Sequence, residues 1–165
     1  MYKYLIILRG KKDCGKTSTL KKLSKILIHK YKFISYLISN CEYVKKEWQK
    51  IEDNDDIFVD GEIGNKKIII SSGGDYLKCI ENFLEKFSKD NIFIGIIACQ
   101  CVNINNKKFQ KINEKIKKQN IILIETTTYS IINLRYATQE MINKMNHIKA
   151  DELYNLIKKI VSEYK

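Results

Sequence analysis

Apolar runs alternate with segments of helical period along this chain. Residues 2–9 carry the run YLIIL and are read as a strand. From Gly15 to Lys30 the apolar positions Leu20, Leu23, Ile26 and Leu27 recur at helical spacing, with Lys21, Lys22 and Lys25 between them. Phe33 to Ser39 fits either period, and its β-branched and aromatic content favours a strand. Cys41, Val44, Trp48 and Ile51 share a helical face behind Asn40 as an N-cap, which predicts a helix there.

A hairpin is predicted near 57–70, with Ile57-Phe58-Val59 and Lys67-Ile68-Ile69-Ile70 flanking the turn DGEIGN. Ser71-Ser72-Gly73-Gly74-Asp75 then leads into a helix with Ile80, Phe83, Leu84 and Phe87 on one side. Ile92 to Ala98 is continuously apolar, as in a strand buried on both faces. A basic helix is expected at 107–118 with Phe109, Ile112 and Ile116 facing inward, and a last strand at Ile121 to Ile124. Two helical stretches, 133–145 and 150–163, are expected to close the chain with a break at Asn146-His147. Strands alternating with helices predict an α/β fold: a three-layer, mostly parallel sheet with helices on both faces.

At 165 residues the chain predicts one domain spanning 1–165, and no linker or internal repeat divides it. No apolar run approaches the length of a membrane span, and the N-terminus lacks the layout of a signal peptide. Five cysteines at irregular spacing predict reduced thiols and a cytoplasmic location. Cys99-Gln100-Cys101 is one close pair without a second, too few ligands for a closed zinc site. The net charge of +11 suits an anionic ligand, whether nucleotide or nucleic acid, and does not choose between them.

The chemistry concentrates in GKKDCGKTS, Gly10 to Ser18, between the first strand and the first helix. It fits G-x-x-x-x-G-K-[ST], in which glycines let backbone N–H groups turn toward phosphate. Gly10 and Gly15 occupy the bends, with Lys11, Lys12, Asp13 and Cys14 between them and Ser18 after the motif. Lys16 is placed to reach the terminal phosphates and Thr17 to ligate magnesium. With these residue frequencies a chance match over the whole chain has odds of roughly 0.4%.

Through LIILRGKKDCGKTSTLKKL the chain resembles the P-loop NTPase superfamily. The form of the loop is also similar to that of small accessory P-loop proteins and kinase-like proteins. The resemblance implies ATP and Mg2+ as cofactors and a phosphotransferase or ATPase activity. A nucleotide-dependent switch with a protein or nucleic-acid partner, or a non-catalytic binding module, stays open, as does a small-molecule acceptor. Guanine-specific members use N-K-x-D after a late strand. Asn105-Asn106-Lys107-Lys108 lacks the acid, so ATP is favoured over GTP. Asp13 departs from the usual neutral loop residue and would repel phosphate unless it turned outward or paired with a lysine.

The second acid near the metal has three candidates. Asp75 ends IIISSGGD and is favoured for its neighbouring glycines, with a helix N-cap as its other role. Glu125 ends IILIE, and Asp60 ends IFVD beside a turn. Thr126, Thr127 and Thr128 follow the last strand, where P-loop proteins often contact the base. Arg135, near a late helix, is the candidate for stabilising charge on a transferring phosphoryl group. Arg9, just before the loop, is expected to pair locally. KKFQKINEKIKK, Lys107 to Lys118, is read as an amphipathic helix with a basic solvated face.

Overall fold

The computed structural model describes residues 2–10, 14–89, 91–100, 107–117, 120–128 and 138–163. Among them, seven strands form one sheet in the order β3-β2-β4-β5-β6-β1-β7. The strands are β1 (Lys3–Arg9), β2 (Phe33–Ser39), β3 (Glu42–Lys45), β4 (Ile57–Ile63), β5 (Lys66–Ser71), β6 (Ile92–Cys99) and β7 (Ile121–Thr127). The helices are α1 (Lys16–Lys30), α2 (Leu77–Lys89), α3 (Lys107–Lys117) and α4 (Gln139–Glu163). The fold is α/β, and no described helix is long and apolar enough to cross a membrane.

β5, β6, β1 and β7 run parallel to one another. β4 is antiparallel to both β5 and β2, and β2 to β3, so the sheet is mixed. Side chains alternate between its faces. Ile6, Leu8, Ile68 and Ile96 meet Leu20, Leu23 and Leu27 of α1 and Leu153 and Ile157 of α4. Leu5, Ile7, Ile69 and Ile97 meet Ile80, Phe83 and Phe87 of α2 and Ile112 of α3. Helices therefore cover both faces, α1 with α4 on one and α2 with α3 on the other. β6 is buried along its whole length, as its continuous apolar run requires.

Three local expectations are corrected. The helix expected behind Asn40 is instead strand β3 followed by a short 3-10 turn at Trp48–Lys50. Asn40 and Cys41 form the two-residue turn of a hairpin, with Ser39 opposite Glu42 and φ of 50° and 63°. Positive φ at both central residues is what the strand twist demands of such a turn. Trp48 and Ile51 pack against the core while Val44 on β3 is exposed, so their helical spacing is a coincidence of so short a window.

The break expected at Asn146-His147 does not occur, and α4 runs through both residues. Reduced thiols were expected, yet Cys41 is joined to Cys79 in a disulfide and Cys99 is also disulfide-bonded. Cys14 is the free thiol among the described residues. The pairing of Cys41 with Cys79 links the β2–β3 turn to the first turn of α2, a proximity that spacing in sequence does not show.

Candidate functional site

The chain leaves β1 toward the face of α1, while the neighbouring β6 is followed by α3 on the opposite face. Open α/β sheets hold ligands in the crevice that such a divergence opens beyond the strands' carboxyl ends. The segment containing Gly10 to Ser18 leaves β1 at that crevice. Lys11, Lys12 and Asp13 lie outside the described residues, as does Arg135.

Gly15 caps α1 with φ of 83°, a left-handed conformation in which a side chain would be strained. No side chain caps α1 and no acid stands in its first turn, so its leading N–H groups and dipole favour an anion. Lys16 is buried, with 6% exposure. Its Nζ donates to the carbonyl of Gly10 at 3.2 Å and lies 3.7 Å from the Cys14 Sγ. Thr17 is half-buried and Ser18 exposed.

β7 runs to Thr127, so Thr126 and Thr127 sit within the strand, opposite Leu8 and Arg9, rather than after it. Thr128 is the residue that reaches the loop. It is buried, its Oγ1 donates to Cys14 Sγ at 3.1 Å, and its N–H donates to Arg9 O at 3.3 Å.

The three acids fall in different surroundings. Glu125 forms an ion pair with Arg9 on the adjacent strand. Asp60 does not end a strand, because β4 continues to Ile63. Its carboxylate lies 3.9 Å from both Lys67 and Lys86, on the α2 side of the sheet. Asp75 is exposed in the loop between β5 and α2. The carbonyl of Tyr76 accepts the first bond of α2, from Ile80 N–H, so Asp75 lies one residue before the cap position. A Cβ on Gly74 would sit 1.4 Å from the carbonyl oxygen of Ala98, so only glycine lets this loop rest on the end of β6. Ala98 is the register partner of Leu8, which brings the Asp75 loop and the loop after β1 to the same strand ends.

A fourth acid was not singled out from the sequence. β4 is antiparallel, so it begins where the parallel strands end, and Asp56 before it stands beside the carboxyl end of β5. Asp56 Oδ1 accepts a hydrogen bond from Ser72 Oγ at 2.8 Å, and that oxygen accepts the N–H of Ile57 at 2.8 Å. Lys21 is four residues beyond Thr17 on α1 and therefore shares its face. Its Nζ donates to the carbonyls of Glu52 and Asp53. Burial lowers the Lys21 pKa, opposed by Asp55, Asp53 and Asp56. The acidic run EDNDD carried the only sequence signal, and it reads as an ordinary polar loop until the strand order is known.

Among the described residues no group of three or more His, Cys, Asp or Glu is clustered as a metal cage. Magnesium bound with a nucleotide needs only one or two protein ligands, its other positions being phosphate and water. No protein-family model matches this chain, and no curated protein is significantly similar to it.

Proposed function

We propose that this protein is an ATP-magnesium-binding P-loop protein acting as a small phosphotransferase or ATPase. The observation that carries the reading is Gly15-Lys16-Thr17 at an uncapped helix N-terminus on the divergence between β1 and β6. Lys16 is buried at that N-terminus with its Nζ donating to the carbonyl of Gly10, a position in which an ammonium suits an anion. ATP supplies the transferable phosphoryl group, and its magnesium neutralises charge on the phosphates.

Lys16 would hold the terminal phosphates, with backbone N–H groups from Cys14 onward around them. The Thr17 hydroxyl would be the direct protein ligand of magnesium. Asp75 is the acid we assign to the metal's outer shell, with Asp56 as the alternative that the strand order adds. Glu125 is engaged by Arg9 and Asp60 faces lysines away from the crevice, so neither is assigned. Thr126 lies within β7 opposite Leu8 and loses the ground for a base-side role, while Arg135 keeps its assignment to transition-state charge.

A second reading, a nucleotide-dependent switch, draws on one contact. Ser72 Oγ ties the loop before β4 to the loop after β5, so a phosphate-driven shift of either would move both.

Calorimetry with ATP-Mg tests the binding. The wild-type chain should bind, and Lys16→Ala should lose affinity by about a hundredfold or more while keeping its circular dichroism spectrum. Unchanged affinity in that variant would overturn the placement of the phosphates. With radiolabelled ATP, transfer into a small-molecule pool supports a kinase. Hydrolysis stimulated only by a macromolecule supports the switch.

A further inference from the structure

The buried stripe of α4 consists of Asn146, Ala150, Leu153, Ile157 and Ile160. Spacings of four, three, four and three residues put these on one helix face, against α1. Four of the five are apolar. Asn146 is the exception, and it is only 7% exposed.

Burying a carboxamide costs free energy that an apolar residue would not, so its position asks for a polar purpose. Its Oδ1 accepts a hydrogen bond from Thr19 Oγ1 at 3.3 Å. Thr19 is one turn into α1, and its own N–H donates to the carbonyl of Gly15 at 2.9 Å. A Cβ built on Gly15 would lie 2.5 Å from Asn146 Oδ1 and 2.9 Å from Nδ2. The carboxamide therefore fills the space beside Gly15 that any other residue's side chain would need. The positive φ demands glycine here, and the Asn146 carboxamide would have to shift for any Cβ to fit.

From this geometry we infer that Asn146 is a positioning residue for the phosphate loop, its carboxamide bracing Gly15 and Thr19 so that the loop's N–H groups stay aimed at phosphate. The inference rests on the nucleotide reading above and adds α4, more than a hundred residues away along the chain, to the site. A neutral amide suits the place for a second reason. It offers both a donor and an acceptor without bringing negative charge next to a phosphate site.

The test compares ATP-Mg affinity with the melting temperature of the ligand-free protein, in wild type, Lys16→Ala, Asn146→Asp and Asn146→Leu. Asn146→Asp keeps the shape and the acceptor for Thr19 but adds a negative charge. Asn146→Leu completes the apolar stripe and removes the brace.

The expected result is that both Asn146 variants lose at least about tenfold in affinity. Asn146→Leu gains apolar packing but leaves the buried Thr19 hydroxyl without its acceptor, so its melting temperature should change little and out of step with its affinity.

Wild-type affinity in both variants, with binding abolished by Lys16→Ala, would overturn this inference alone. Affinity that fell only in step with melting temperature across the Asn146 variants would also overturn it, as the sign of a purely structural residue. Absence of ATP binding by the wild-type chain would overturn the nucleotide reading and this inference together.

Discussion

All eight residues of β6 are buried, whereas none of the four residues of β3 is, although both belong to one sheet. Around β6 the parallel strands are held by apolar contact on both faces, from Leu20, Leu23 and Leu27 on one side to Phe83 and Phe87 on the other. Around β3 the links are specific and few. Cys41 is bonded to Cys79, Asn82 Nδ2 donates to the Cys41 carbonyl at 2.9 Å, and Lys46 pairs with Asp55 at 3.2 Å. Tyr43 stacks on Phe58 with ring centroids 4.1 Å apart, and burial pushes its hydroxyl up to about 12. The parallel half, which carries Lys16, depends on burial. The antiparallel half is buried at β4 and depends at its β3 edge on cross-links and charges that solution conditions can alter.

The largest effect should come from opening a cavity in the parallel half. Ile96→Ala removes a side chain of zero exposure and should cost about 2–5 kcal/mol, read from denaturant unfolding. The loss should be the same with and without a thiol reductant. A loss that appeared only under reduction would break the contrast between the halves.

Next in size, Cys79→Ser opens a bridge between residues 38 apart and should cost about 2–4 kcal/mol under oxidising conditions and markedly less once reductant is present, when only the burial of a hydroxyl remains. Cys41→Gly loses the same bridge but relieves the positive φ of 63° at the turn, so it should be the milder variant by about 1 kcal/mol. Equal losses would mean that the turn carries no strain. Hydrogen exchange should show the loss in β2 and β3 first, with β1 and β6 unaffected.

The smallest effect is expected from acid. Asp55 has a carboxyl pKa below its ordinary 3.8, chiefly because it accepts the Glu52 N–H and then because Lys46 is beside it. A carboxyl lowered on folding contributes stability that is full above 3.8 and is lost as pH falls through its folded value. Asp55→Asn should therefore flatten part of the stability decline below pH 4 and leave the decline above it unchanged. An identical pH profile would remove Asp55 from the cross-links of the antiparallel half.

The elements that could be read from the residues alone are those whose signal is local and long. β6 is an unbroken apolar run, and α1 and α2 carry their stripes over several turns. The motif from Gly10 to Ser18 is contiguous, so its position between strand and helix was readable as well. The Cys41 to Ile51 segment mimics a helix because its apolar spacing is short and its two turn residues, Asn and Cys, lack the glycine that marks such turns. Asn146 suggested a helix break, since asparagine forms helices weakly, but packing against α1 overrides that preference.

Sequence alone sufficed for an α/β chain with a Gly-Lys-Thr motif between its first strand and first helix, because backbone conformation and apolar period are set by near neighbours. Which acids face the crevice, and which residue supports Gly15, were decided only when distant segments met. Asp56 lies at the carboxyl ends of the parallel strands because β4 runs antiparallel, Glu125 is engaged because β7 lies beside β1, and Asn146 arrives on a helix from the other end of the chain. Such contacts depend on strand order and helix packing, and neither leaves a periodic trace in the residues that make them.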